Sequence, residues 1–225
     1  PRVLFGSLNH IISICIISLF VTFVMITGGI DIQAGSIVGL SSIVLGVAWQ
    51  DGGMNIWAAV ALAVAVSAVC GALSGYFVAY CGVQPMVVTL GGSFLFTGIA
   101  LLVSNLSATE SYKGINGFPD SFLQLSRFKL FGIIPCQVLI FLALAVTAYI
   151  LLNRTKYGRM IFLIGVNKEA AEFSGINTRL VTMSTYILSG VSAAIAGIIL
   201  TSYIGTAKSD IGVTFTLPII TAVVL

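Results

Sequence analysis

The chain has 225 residues, 58% of them hydrophobic and 8% charged, with a formal net charge of +3. With a mean hydropathy of +1.12, this composition excludes an ordinary soluble domain, in which about 25% of residues are charged. Apolar stretches recur at the length of about 20 residues that a helix needs to cross a hydrocarbon core, and they lack the alternation of barrel strands. The expected fold is all-α: a polytopic transmembrane helical bundle of about seven spans or partial spans, forming one domain over residues 1–225. The sequence has no initiator Met and closes on the apolar run to Leu225, so it reads as a fragment at both ends.

The first span is expected from near Leu8 to Thr27, followed by Gly28-Gly29-Ile30-Asp31-Ile32-Gln33-Ala34-Gly35-Ser36. Adjacent glycines disfavour helix by about 1 kcal/mol each relative to Ala, and a carboxylate at membrane depth costs about 2.5–3.5 kcal/mol on insertion scales. Two readings stand. The stretch is a broken helix lining a translocation path, with Asp31, Gln33 and Ser36 as its polar groups. Alternatively it is a tight cytoplasmic turn in which Asp31 caps the next helix. A second apolar piece runs to about Trp49, and further spans are expected near Ile56–Tyr80, Met86–Ser104, Pro135–Leu152 and Leu180–Ile204, with a last one beginning near Thr214. Small residues recur every four positions at Ser67, Gly71 and Gly75, at Ser189, Ala193 and Gly197, and at Gly35 and Gly39. Such stripes let helices pack closely within a membrane.

Two polar stretches separate the spans. Asn105–Ile134 carries Glu110, Lys113, Asp120, Arg127 and Lys129, with Tyr112, Phe118, Phe122, Phe128 and Phe131 interleaved. These aromatics are expected as interfacial belt residues, with a docking surface for an extracytoplasmic partner as the alternative. Asn153–Arg179 holds five of the ten basic residues and two of the seven acids. Basic loops stay in the cytoplasm, so this stretch goes inside together with Cys81–Gln84, while 105–134 and Asp51–Gly53 go outside. Within the basic stretch, Asn167 is a good N-cap, Glu169 complements the first turn, and Gly175 sits at a C′ position. They frame a helix over Lys168–Ser174, too short to be stable alone in water, where about 12–15 residues are needed. Neighbouring loops or a docked partner must hold it.

Other chemistry lacks support. No P-loop, HExxH or GxSxG pattern occurs and His10 is the only histidine, so no catalytic or metal site is expected on this chain. Cys15, Cys70, Cys81 and Cys136 are scattered, as packing residues would be. Apart from Asp31, acids are nearly absent from the spans, which disfavours a carboxylate proton relay.

Three stretches, in order, resemble one family. Gly28-Gly29-Ile30-Asp31-Ile32 with Gly35-Ser36, the run Gly165-Val166-Asn167-Lys168-Glu169-Ala170-Ala171-Glu172-Phe173-Ser174-Gly175-Ile176, and Gly205–Asp210 through Ile219–Leu225 are similar to signatures of the ribose/xylose-type sugar permeases of ABC importers. The stretches Gly114–Pro119, Phe162–Gly165 and Lys208–Gly212 look most like the branch that takes autoinducer-2, a furanosyl compound of sugar size. The resemblance implies a bacterial inner-membrane permease subunit, with Gly165, Asn167, Glu169, Ala170, Ala171, Ser174 and Gly175 coupling it to an ATPase. It also implies its company: a separate ATPase subunit that carries ATP and Mg, a second permease subunit (identical or related), a solute-binding protein and membrane lipid, with no nucleic acid. Two other readings remain at this point. One is an ion-gradient-driven secondary transporter or channel using the same Asp31 break, and the other is a membrane scaffold that recruits a soluble partner.

Overall fold

The computed structural model describes residues 2–107, 114–127, 129–130 and 134–224. Glu110, Tyr112, Lys113, Phe128 and Phe131 lie outside the described residues. The helices follow the apolar runs: α1 (Arg2–Ile26), α2 (Ala34–Gln50), α3 (Ile56–Ala79), α4 (Pro85–Leu106), α5 (Asp120–Arg127), α6 (Cys136–Arg154), α7 (Lys156–Val166), α8 (Lys168–Phe173), α9 (Thr178–Ile204) and α10 (Thr216–Val224). Local chemistry sets several boundaries. Asn55 Oδ1 accepts the amide of Trp57 to open α3, Pro85 stands at the start of α4, and Asn177 Oδ1 accepts the amide of Leu180 to open α9. Among the described residues, α3, α4, α6 and α9 are long and apolar enough to cross a membrane, and shorter apolar helices cover His10–Ile26, Ala34–Gln50 and Val213–Val224.

The long helix α9 is the axis of the bundle. Two-thirds (67%) of its most apolar window is buried, against 17% for α4 and 11% for α6, so α4 and α6 present apolar flanks outward. The small-residue stripes explain how α9 gains its neighbours. A Cβ on Gly190 would stand 2.5 Å from the Ser67 carbonyl oxygen, and one on Gly75 2.9 Å from that of Met183, so α3 and α9 touch backbone to backbone. Gly197 similarly admits Val38 and Ser41 of α2. The stripe at Gly35 and Gly39 meets the start of α10 at Thr216 and the loop before it. It receives the backbone of Ser209 and Gly212, which descends from the end of α9 toward α10.

The two ends of the bundle sort as the charge pattern requires. One end gathers Thr27–Gly29, Gly82–Pro85, Ile164 and Lys168 around a shared crevice. The opposite end carries a small ladder that the helical pattern did not foreshadow. There β1 (Ile115–Asn116) pairs antiparallel with β4 (Thr206–Ala207), while β2 (Lys129–Leu130) pairs with β3 (Ile134–Pro135). Phe118 and Phe122 depart from the belt expectation. Both are buried, Phe118 stacked on Trp49 and tilted against Phe122, and the Ser202 hydroxyl donates to the Phe122 carbonyl at 2.7 Å. They cap the core because α5 folds back over α9 and brings that carbonyl into reach.

Close α3–α9 contact carries an expected outcome. Gly190→Val should destabilise the protein by about 1–3 kcal/mol through overpacking, read as a lowered thermal midpoint in detergent. Gly91→Ala, on a face with nothing within 4 Å, should be neutral or gain up to about 1 kcal/mol.

Candidate translocation site

The glycine pair ends α1 as its composition predicts. Gly28 adopts a left-handed φ of +81°, its amide returns to the Met25 carbonyl and the Gly29 amide to that of Val24. From there the chain runs unwound through Ile30–Gln33 until α2 begins. Its depth follows from α9. Ser189, bonded to Asp31, lies 11 residues past Thr178, about 16 Å along a helix rising 1.5 Å per residue. The far end at Ile204 is about 22 Å beyond. The stretch therefore starts at one face and climbs to mid-depth, which removes the simple surface turn as a description of Asp31.

The unwound backbone and its polar side chains are bonded outward to three helices. Ser189 of α9 donates its hydroxyl to Asp31 Oδ2 at 2.5 Å, and Ser74 of α3 donates to Gln33 Oε1 at 2.6 Å. The Thr89 hydroxyl of α4 shares its one proton between the Pro85 carbonyl of its own helix at 2.9 Å and the Ile30 carbonyl at 3.1 Å. Asp31 Oδ1 also accepts the Gln33 amide at 3.1 Å, an Asx-type turn ahead of α2, whose N-cap residue Gln33 makes no side-chain cap of its own. Asp31 thus serves the start of α2 as the capping reading supposed, but from inside the bundle.

Of the three expected path residues, Asp31 and Gln33 are 2% and 0% exposed. They tie helices together and line neither of the cavities that meet the stretch. Ser36 does line one: a cleft of about 420 Å³ bounded by Ile32, Ser36, Ser93, Thr97, Val213 and Thr216 among others. The Thr97 hydroxyl lies 2.8 Å from the Ser93 carbonyl and 3.1 Å from Ser36 Oγ, with one proton for the two contacts. The hydroxyls of α4 and Thr216 were missed from the sequence, although Thr89, Ser93 and Thr97 recur every four residues on an otherwise apolar helix. That spacing puts them on one face. On the other side of the stretch lies a crevice of about 220 Å³, lined by Thr27, Gly28, Gly29, Gln84, Pro85 and Lys168 with their neighbours.

The basic stretch is more helical than expected. Thr155 Oγ1 accepts the Gly158 amide to start α7, whose Gly158, Ile161 and Ile164 face inward at helical spacing. The next helix, α8, forms where its caps place it. Asn167 Oδ1 accepts the Ala170 amide at 3.0 Å, and Gly175 at φ +80° closes a Schellman motif in which Gly175 and Ile176 donate to the carbonyls of Glu172 and Ala171. The Ser174 hydroxyl returns to Ala170 O at 2.9 Å, and Thr178 donates to Glu172 Oε1 at 2.5 Å. Asn167, Glu169, Ala170, Ser174 and Gly175 are exposed together, as candidate contact residues should be. Ala171 is different: at 3% exposed it packs in the cluster of Ile161, Ile164 and Val181, so it holds the helix and cannot meet a partner. Phe173 and Val166, 93% and 86% exposed, are the bare apolar groups of this surface. Gly165 faces α1, where a Cβ would collide with the Ile26 carbonyl oxygen.

Comparisons place this geometry among known proteins. Residues 3–225 match the family model described as branched-chain amino acid transport system / permease component. Proteins called autoinducer 2 import system permease protein LsrD, from Yersinia pseudotuberculosis serotype O:3, Yersinia enterocolitica serotype O:8 and Yersinia pestis strain Pestoides F, are each 42% identical over 224 residues. Each match covers 100% of this chain and 67% of the relative. No solved structure matches. The family description and the relatives' names refer to different solutes, so the family fixes the kind of protein and leaves its cargo to other arguments. With nearly every residue inside the family model, this chain belongs to the branched-chain amino acid transport system / permease component family and is a multi-pass membrane permease of the ABC importer type.

Proposed function

We propose that this chain moves a small polyhydroxylated solute of the size of autoinducer 2 across the bacterial inner membrane, driven by a separate ATPase subunit. That subunit binds ATP and Mg, a solute-binding protein delivers the cargo on the opposite side, and a second permease subunit, identical or related, completes the channel. No covalent chemistry falls to this chain. Hydroxyls suit such a cargo because Ser and Thr both donate and accept, and the cleft beside Ser36 offers them against apolar walls, the usual composition of a small-molecule site. The names of the relatives support the choice of solute.

One observation carries the reading: a rigidly capped surface helix with bare apolar groups is wired to the unwound stretch. Phe173 and Val166 stand out from α8 and the end of α7, where a helix-in-groove contact with a soluble subunit would take apolar anchors. On the inner side of the same unit, Gly165 touches the last turn of α1 at Ile26, immediately before the break. A displacement of α8 by an ATPase therefore reaches the break through one backbone contact.

Two outcomes are expected from purification of the full-length parent protein from native membranes. Phe173→Asp should remove a co-purifying ATPase by tenfold or more, the loss of one buried hot spot of about 2 kcal/mol, while Phe173→Leu retains it. Gly165→Val should keep the ATPase bound yet lose import, with hydrolysis no longer stimulated by the loaded binding protein. If no ATPase accompanies the parent, or import persists through ATP depletion and follows an ion gradient, a gradient-driven transporter replaces this reading.

A further inference from the structure

Among the described residues, two cavities reach the unwound stretch from either side. Ile32 and Ser36 bound the cleft on one side, and Thr27, Gly28 and Gly29 bound the crevice on the other. Between them stand the unwound residues 30–33. Building on the permease reading, we infer that residues 30–33 are the barrier between the two aqueous approaches, latched shut by hydroxyls from three separate helices.

The bonding pattern separates a latch from an ordinary loop. A connection at the surface can leave its backbone groups to water, whereas a buried one must find partners in the protein. Here the fastenings come from residues 74, 89 and 189, remote in sequence and each on a different helix: Ser74 to Gln33, Thr89 to the Ile30 carbonyl, and Ser189 to Asp31. Gly92 lies so close to Gln33 Oε1 that a Cβ there would collide with it. The seal therefore depends on where three helices stand relative to one another, and any motion that parts α3, α4 and α9 releases it.

The closed state is also incompletely satisfied. Gln33 Nε2 and Tyr186 Oη are buried without a partner among the described groups, and Tyr186 Oη lies where a Cβ on Gly29 would be, 2.6 Å away. Buried polar atoms without partners cost free energy. Water or solute hydroxyls reaching the stretch would satisfy both atoms, which offsets part of the cost of breaking the latch. The barrier is built to open to a polar visitor, whereas a dry apolar plug would resist one.

Thiol accessibility in the assembled transporter tests this without requiring transport. Cys15, Cys70 and Cys136 are replaced by Ala, and the exposed Cys81 is kept as a reporter of the crevice side. A membrane-impermeant maleimide is applied to spheroplasts and to inverted vesicles. Ser36→Cys should react only from the face opposite Cys81, and Thr27→Cys, with Cys81 replaced, only from the Cys81 face. In the double latch variant Ser74→Ala with Ser189→Ala, Thr27→Cys should become reactive from the opposite face by about tenfold, as expected when a two-state closure loses hydrogen bonds that held one state. Ser74→Thr with Ser189→Thr, which keeps the hydroxyls, should remain sealed. The barrier is overturned if Ser36→Cys and Thr27→Cys react from the same face in the intact latch. A monodisperse alanine variant that stays sealed sinks the latch as well, and so does leakage that is equal in the threonine variant. Parent protein that labels as expected but imports nothing would refute the proposed function and leave the barrier standing.

Discussion

Everything near the centre of this molecule answers one requirement: an unwound backbone with a carboxylate, held at mid-depth, must find its hydrogen bonds inside the protein. Helical spans meet that requirement within themselves. Residues 30–33 cannot, so neighbouring helices supply the partners. Ser189, Ser74 and Thr89 do so from α9, α3 and α4. Each of those helices otherwise looks like an interchangeable apolar cylinder. Each must nonetheless present one hydroxyl at the height of the break.

That need explains the glycines. A side-chain hydroxyl of Ser reaches only a short distance from its own backbone, so the helices bearing them must crowd the break. The backbone contacts at Gly75 and Gly190 bring α3 against α9, and Gly197 brings α9 against α2. Larger residues at these positions would push the helices apart and draw the hydroxyls away from the break. The second use of the same device is at Gly35 and Gly39, which admit the descending backbone of Ser209 and Gly212 and the first residue of α10, Thr216. That backbone carries Val213 and Thr216 to the cleft beside Ser36. Packing and polar path are therefore two results of one sequence feature.

The sequence disclosed local features and concealed those that depend on distant partners. The spans, the caps of α8 and the glycine break are short-range events, set by periodicity, by Asn167 and Gly175, and by Gly28-Gly29. The partners of the break were hidden because Ser74 and Ser189 look like any small residue in an apolar helix until the fold places them beside Gln33 and Asp31. Ala171 and Phe173 illustrate the same limit within one turn. Both belong to a motif whose resemblance suggested contact, but only the packing of α8 on Ile164 and Val181 shows that the first faces in and the second out. Phe118 and Phe122 were read as interfacial from their composition, and the fold of α5 over α9 made them core. The helix α7 is legible in principle, through Thr155 and the spacing of Gly158, Ile161 and Ile164, but the charges of the stretch argue for a polar loop.

On the proposed coupling through α8, stiff and soft parts divide the work of transport. A signal arriving at α8 meets a helix fixed at both ends and joined through α7 to the last turn of α1, so little of the displacement is lost in side-chain rearrangement. Beyond Ile26 the helix ends, and the unwound segment has no internal ladder to resist bending. It yields there first because its restraint is a few hydroxyl contacts, each contributing about 0.5–1.5 kcal/mol net, whereas distorting α9 would break a continuous ladder. A continuous α1–α2 helix would transmit the same push as a rigid tilt and leave the centre closed. The glycine pair, at a cost of about 1 kcal/mol per residue in helix stability, would convert a push at the surface into a local change at mid-depth, between the two cavities.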